Sequence, residues 1–315
     1  MSPSRSLTAL LLCFAAIYII WGTTFLGIAL MIRTVPPFTS GAVRFLLAGG
    51  LMYVWLRARE PHPFAELHLP GTALCGVLLT GIGNGFLIWA QTGLPSGIAA
   101  LFIGALPVSI LLLDWLFFSR KRPRALAATG VAIGLTGIVV LSLHSMAGRV
   151  HPIYIIAVLA AEFGFGLGTL LQPRYATAER VINFTCLQML IGAVFQVLMA
   201  VVNREWIGFA PGQVSLQSVL ALLYLVIPGS IVAFSCYAYL VAHVAAQKIA
   251  TYALVNPVIA LALGAVVLGE PITRASIVSA VLVLLGVALV LLQRGATAGP
   301  VRAGGVAARL SRRHG

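Results

Sequence analysis

Two ionisable side chains lie inside long apolar stretches of the sequence, where a charge is costly and therefore informative. Glu162 falls near the middle of residues 153–172, and Arg44 is the one charge between Ser40 and Gly50. A charged side chain at the centre of a bilayer-spanning helix costs at least about 2.5–3.5 kcal/mol. Glu162 is therefore predicted either to exchange a proton between two environments or to form a hydrogen bond to a neighbouring helix.

Arg44 also needs a partner for its charge. The guanidinium group can hold a carboxylate of a bound molecule, or it can pair with a main-chain carbonyl, with Glu162 or with lipid headgroups. The sequence leaves these roles open.

Aromatic and amide side chains recur within the same apolar stretches. Such a mixture suits a wall that contacts an amphipathic organic molecule, although aromatic residues are also ordinary components of membrane helices and of the interfacial belt. The predicted wall residues are Tyr18, Trp21, Arg44, Asn84, Trp89, Gln91, Gln188, Tyr237 and Asn256.

Two prolines occupy equivalent places in two similar stretches. Shifting the sequence by 150 positions lays residues 99–120 over 249–270 without a gap and places Pro107 on Pro257. Each proline removes one helix hydrogen bond, so both are predicted to kink their helices. The chain is therefore predicted to consist of two related halves.

Enzyme chemistry finds no support in the residue pattern. The six histidines never pair at ligand spacing on one helix, and neither a nucleophile elbow nor a phosphate-binding loop is present. The sequence predicts a protein that is not an enzyme and that uses neither a metal ion nor a cofactor.

The composition places these residues in a bilayer. Of the 315 residues, 60% are hydrophobic and 9% are charged, which is too little polar surface for soluble domains. Uninterrupted apolar runs of about 20 residues indicate helices. We predict an all-α integral membrane protein with ten transmembrane helices. The net charge of +13 does not indicate nucleic acid, because the basic residues lie in short clusters between the runs and in the tail.

The basic clusters follow alternate loops, which by the positive-inside rule puts both termini in the cytoplasm. Five spans per half make the second half enter the membrane from the opposite side, so the repeat is inverted. The predicted units are residues 12–143, residues 152–292 and a disordered basic cytoplasmic tail at 293–315. The basic loops and the tail are expected to contact anionic lipids.

Several short motifs keep their order across both halves. They are Tyr18–Thr24 (YIIWGTT), Pro36-Pro37, Arg44-Phe45, Pro95-Ser96-Gly97, Asn256-Pro257 and Gly269-Glu270. With them the chain resembles an EamA-type member of the drug/metabolite transporter superfamily. The resemblance implies a ten-helix bundle, a central cavity between the halves and export of small metabolites or drugs. It favours a structural role for Arg44, and the family commonly has an aromatic residue at the place of Glu162.

Together these observations predict a secondary exporter of small organic molecules in a bacterial inner membrane. It would work by alternating access, with Glu162 as the candidate for proton coupling, because no ATP-binding loop is present. The alternative is a non-transporting receptor or scaffold, which would normally carry a substantial soluble domain. A homodimer is left open.

Overall fold

Helices that run back and forth between two faces make up the fold. The structure, a computed structural model, describes residues 3–120, 122–147, 150–177, 179–244, 249 and 251–295. Within this part of the chain there is no strand; nine helices are long and apolar enough to cross a membrane, and a tenth is apolar but has only 17 residues. The prediction of an all-α membrane protein with ten transmembrane helices is confirmed. From residue 296 onward the predicted tail lies outside the described residues.

We number the helices α1 to α10 and count a helix with an internal π-helical run as one. Their bounds are Pro3–Met31 (α1), Pro37–Arg57 (α2), Leu69–Ala90 (α3), Ser96–Ser119 (α4), Ala125–Ala147 (α5), Pro152–Tyr175 (α6), Val181–Val202 (α7), Leu216–Val226 with Ile227–Val232 and Ala233–His243 (α8), Tyr252–Leu268 (α9) and Arg274–Gly295 (α10). The first three residues of the predicted tail therefore belong to α10.

Proline and glycine set several helix ends. Pro36 and Pro95 are the residues that precede the first turns of α2 and α4; proline suits these positions because it cannot donate a backbone hydrogen bond. Gly269 ends α9 with φ at 69°, a left-handed conformation that glycine adopts without strain.

The packing of the helices is symmetric between the halves α1–α5 and α6–α10. Three pairs cross between the halves at equivalent positions, namely α2 with α7, α4 with α9 and α5 with α10. Likewise α1 packs on α8 and α9, just as α6 packs on α3 and α4. This is the pattern that a twofold axis in the membrane plane produces, and with five helices per half the repeat is inverted.

The α5–α10 pair approaches closely through glycine. A Cβ atom added to Gly286 would lie 2.6 Å from both the carbonyl oxygen of Gly130 and the amide nitrogen of Gly134. Small residues let membrane helices pack backbone to backbone. The backbones of α5 and α10 therefore pack directly against each other.

The two faces of the bundle are distinguished by the chain termini. We call the face on which α1 begins and α10 ends the termini face; α6 ends there, and α7 and α9 begin there. The other face is the opposite face, where α2, α4, α6 and α8 begin.

Candidate functional site

An open cavity lies between the two halves, with about 960 Å³ of empty space that includes its opening to solvent. Its wall comes from α1–α4 in the first half and α6–α9 in the second. The polar side chains that line it are Thr24, Arg44, Asn84, Thr169, Gln172, Thr185, Gln188 and Asn256. The aromatic side chains that line it are Trp21, Phe25, Phe165, Phe234, Tyr237 and Tyr252.

The cavity extends toward the termini face. Its wall includes Gln172 in the last turn of α6, Thr185 in the second turn of α7 and Tyr252 at the start of α9. In the other direction the wall stops at Ile28 and Leu87, about one turn before α1 and α3 end.

Two carboxylates join the halves beyond that point, at the opposite face. Glu205, after α7, accepts hydrogen bonds from the backbone nitrogens of Phe38 at 3.0 Å and Thr39 at 2.7 Å, and from the Thr39 hydroxyl at 2.7 Å. Glu270, after α9, accepts from the backbone nitrogens of Ser96 at 2.6 Å and Gly97 at 3.0 Å. A carboxylate is favoured at a helix N-terminus, where free N–H groups and the helix dipole meet it. We call these contacts the Glu205 cap and the Glu270 cap.

A third carboxylate joins α2 to α7 at the termini face. Glu60, just after α2, accepts hydrogen bonds from Arg180 and from the side-chain amide of Asn183, and Arg180 also donates to Glu66 at 2.8 Å. The bonds from Arg180 and then Asn183 lower the pKa of the Glu60 carboxyl, and the two carboxylates raise the pKa of Arg180. We call this group the Glu60 cluster.

Two π-helical runs shape the wall at equivalent places. Shifting Gly76–Asn84 of α3 by 150 positions gives residues 226–234, which contain the run Ile227–Val232 of α8. Asn84 Nδ2 donates to the carbonyl of Leu79 at 3.1 Å, and Ser230 Oγ donates to that of Leu225 at 2.9 Å. π-Helical turns are frequent at functional sites.

The second of these runs holds Arg44 in place. Arg44 is only 3% exposed, its Nε donates to Ser230 Oγ at 3.0 Å, and its guanidinium carbon lies 4.7 Å from the centre of the Phe45 ring. Its Nη1 atom is buried without a hydrogen-bond partner among the described residues. The cavity thus has a fixed, incompletely paired cation in its wall.

An aromatic cluster lies toward the termini face. The Trp21 ring lies 5.5, 5.4 and 5.0 Å from the ring centres of Phe234, Tyr237 and Tyr252. Asn256, with its amide nitrogen turned toward the main chain, donates to the carbonyls of Tyr18 and Tyr252 at 3.1 and 3.2 Å. These contacts make a rigid apolar surface with a few polar groups.

The structure brings together six of the nine predicted wall residues, namely Trp21, Arg44, Asn84, Gln188, Tyr237 and Asn256. The other three lie elsewhere. Tyr18 forms a hydrogen bond with Thr251. Trp89 packs on Phe38 near the opposite face, with the ring centres 5.9 Å apart. Gln91 is buried just after α3, and its amide has no partner in the described part of the chain.

Glu162 lies behind the wall rather than in it. The side chain is 2% exposed, and its Oε1 accepts a hydrogen bond from Ser109 at 2.7 Å. Ser109 follows a break in α4, where Ala105 interrupts the helix two residues before Pro107. Glu162 on α6 therefore contacts the part of α4 that follows this break. In contrast, α9 continues without interruption through Pro257.

Several wall residues were missed in the sequence. Phe165, Thr169 and Gln172 follow one another at helical spacing on α6, and Thr185 lies three residues before the predicted Gln188 on α7. The spacing i, i+4, i+7 places residues on one helix face, so the polar members of this series were the available signal. The threonines were overlooked because a hydroxyl in a membrane helix can bond to its own main chain, as Thr185 does with Val181 at 2.7 Å.

Comparison with known proteins gives a consistent family match. Residues 7–143 and 152–292 match the model of the EamA-like transporter family. The chain is 33% identical over 273 residues to the uncharacterized inner membrane transporter YedA of Escherichia coli (strain K12), covering 86% of each chain. It is 26% identical to a probable amino-acid metabolite efflux pump of Salmonella typhimurium (strain LT2), covering 86% of this chain and 90% of the relative.

A protein of known crystal structure supports the fold. It aligns with a TM-score of 0.63 over 92% of this chain and 99% of its own, at 20% sequence identity. At that identity the likeness shows the fold alone.

Proposed function

We propose that this chain, which belongs to the EamA-like transporter family and is a membrane transporter, is a secondary exporter that works by alternating access. The observation that carries the proposal is the cavity between the halves. Both halves line it, it extends toward the termini face, and two carboxylate caps join the halves beyond its other end. Exchanging the conformations of the two halves would expose the same wall to the other side.

The residues of the cavity wall indicate what kind of molecule the protein would transport. Aromatic rings around Trp21, together with amides such as Asn84 and Gln188, suit a small amphipathic metabolite or drug. The relative described as a probable amino-acid metabolite efflux pump favours a metabolite as the transported molecule. One chain supplies both sides of the cavity, so transport does not require a homodimer.

We propose that the protein lies in an inner membrane, as the name of the relative YedA states for that protein, with the termini face toward the cytoplasm. The basic residues favour this orientation. Those of the described residues that lie on the termini face are Arg5, Arg57, Arg59, Arg120, Arg122, Arg124, Arg174, Arg180 and Arg294, against Arg33, Arg204 and Arg274 at the opposite face. The basic residues of the termini face would also contact anionic lipids.

Glu162 is proposed to couple export to proton entry. It is a buried carboxyl whose described partner is the hydroxyl of Ser109, next to the break in α4. Gain or loss of a proton would change that hydrogen bond, and with it the position of α4 relative to α6.

The test uses the full chain in proteoliposomes with a panel of radiolabelled amino acids, aromatic carboxylates and neutral amides. Accumulation driven by a pH gradient is expected for at least one of them. Glu162→Gln keeps the shape and hydrogen bonding but cannot release a proton, so we expect it to abolish accumulation and to retain exchange without a gradient.

Glu179→Gln, an exposed acid in the loop before α7, is the matched control and should behave as the unmodified chain. Accumulation by Glu162→Gln would show that Glu162 is structural. A receptor or scaffold would move none of the solutes.

A further inference from the structure

We propose that the transported molecule carries a carboxylate, that Arg44 binds it, and that the apolar body of the molecule rests on the aromatic cluster around Trp21. This inference rests on the proposed function, since it names the class of molecule carried. It starts from the unbalanced charge in the cavity wall.

Arg44 is the one charged side chain among the described residues that line the cavity. The acids of the described chain are engaged elsewhere or lie away from Arg44. Glu60 and Glu66 bind Arg180, Glu205 and Glu270 cap helices, Glu162 binds Ser109, and Asp114 and Glu179 do not line the cavity. None forms an ion pair with Arg44 in this part of the chain. A buried cation without a counter-ion is costly, so an anion from outside the chain would complete the site.

The protein holds the guanidinium through its Nε atom and leaves Nη1 without a described hydrogen bond. Ser230 Oγ accepts the hydrogen bond from Nε, and the Phe45 ring covers one face of the guanidinium plane. Nη1 has no described partner. A Cβ atom added to Gly229 would lie 3.6 Å from Arg44 Nη2 and 3.2 Å from the methyl carbon of Thr24. Nη2 and the Thr24 side chain therefore both lie close to Gly229, where a larger residue would press against them. A planar carboxylate matches the two outer nitrogens of a guanidinium.

The aromatic cluster lies at a suitable distance along α8. Phe234 and Tyr237 follow Ser230 by four and seven residues, which places them about 6 and 10 Å further along the helix axis, toward the termini face. A carboxylate on Arg44 would therefore have an aromatic or aliphatic group within reach of Trp21. The described wall contains no acid to pair with an amine, so a monoanion fits better than a zwitterion.

The experiment measures binding, not transport, on the full chain in nanodiscs. The probes are phenylacetate, 3-phenylpropionate and indole-3-acetate, each compared with its neutral amide by calorimetry. We expect each carboxylate that binds to do so about tenfold or more tightly than its amide. In Arg44→Gln this ratio should fall to about one, and in Arg44→Lys, which keeps the charge without the planar fork, it should be intermediate.

Arg33→Gln, an exposed arginine at the end of α1 that binds Gln217, is the matched control and should keep the ratio. Equal binding of acids and amides by the unmodified chain would overturn the proposal. This comparison does not depend on whether any variant folds. An undiminished ratio in Arg44→Gln, or no carboxylate binding at millimolar concentration, would overturn it as well. Chloride that displaces the carboxylates at equal concentration would make Arg44 a general anion site and would also overturn it. Binding without any flux would instead reject the proposed transport and leave this site standing.

Discussion

Two helix pairs cross between the halves at the cavity, and they differ in the carboxylate contacts at their ends. The α2–α7 pair has a carboxylate contact at each end, the Glu205 cap at the opposite face and the Glu60 cluster at the termini face. The α4–α9 pair has the Glu270 cap at the opposite face. The residue equivalent to Glu270 after a shift of 150 positions is Arg120, a cation that cannot accept an N–H hydrogen bond.

This difference indicates which pair moves. We expect α2–α7 to remain together as a fixed seam, because separating either end would break charge-assisted hydrogen bonds. The α4–α9 pair carries the break at Ala105 and contributes Tyr252 and Asn256 to the cavity wall. We therefore expect α4–α9 to act as the gate, with the Glu270 cap holding it closed at the opposite face.

The largest effect is expected from Glu270→Gln. A neutral amide offers one oxygen where the carboxylate offers two, so the closed gate should lose about 2 kcal/mol, which shifts the balance of states about thirtyfold. The measurement is labelling of a cysteine placed at Leu87 by a membrane-impermeant maleimide added at the opposite face, in a background without Cys13, Cys75, Cys186 and Cys236. Unchanged labelling would contradict the gate assignment.

A smaller and different effect is expected from Glu205→Gln. The seam should lose about 1–2 kcal/mol of stability through its weakened cap, seen as a lower free energy of unfolding in detergent. Labelling at Leu87 should change by less than about twofold, since the gate is intact. Strong labelling in this variant would mean that α2–α7 opens as well, and the contrast between the two pairs would disappear.

The smallest effect is expected from Glu60→Gln, and it should depend on pH. The pKa of Glu60 in the folded chain is lowered from 4.5 by Arg180 and Asn183. Its contribution to stability is therefore fully present above about pH 4.5 and is lost as the pH falls through the lower folded value. The difference in melting temperature between the unmodified chain and Glu60→Gln should be constant from neutral pH to about pH 5.5 and then vanish on further acidification. A difference that persists in strong acid would show that Glu60 acts through packing.

The fold followed from the sequence because its determinants are local and strong. Apolar runs, proline pairs and charged loops marked the ten helices, and the shift of 150 positions marked the two halves. The carboxylate caps did not follow, since they depend on which helix end lies beside which loop. Glu205 and Glu270 look like ordinary loop acids until α2 and α4 are placed next to them.

The site was only partly predictable for a related reason. Residue type indicated which side chains could contact an organic molecule, but depth and helix rotation decide which of them face the cavity. Trp89 and Gln91 are of the right type and lie near the opposite face. Arg44 could be interpreted as structural or as a binding residue. The bond from its Nε to Ser230 is a structural contact, and its place in the cavity wall is the basis of the binding role proposed above.

The π-helical run of α3 determines where the chain can vary in length. Such a run corresponds to an α-helix with an inserted residue, and deleting one residue from Gly76–Asn84 would allow the ordinary helix to reform. The wider turn already absorbs the rotation of the extra residue, so Leu87 would keep nearly the same orientation in the wall. A one-residue deletion from Gly85–Ala90 has no such run to absorb it and would turn the side chains that follow by about 100° around the axis. Length differences between relatives are therefore expected within Gly76–Asn84 rather than in the last turns of α3.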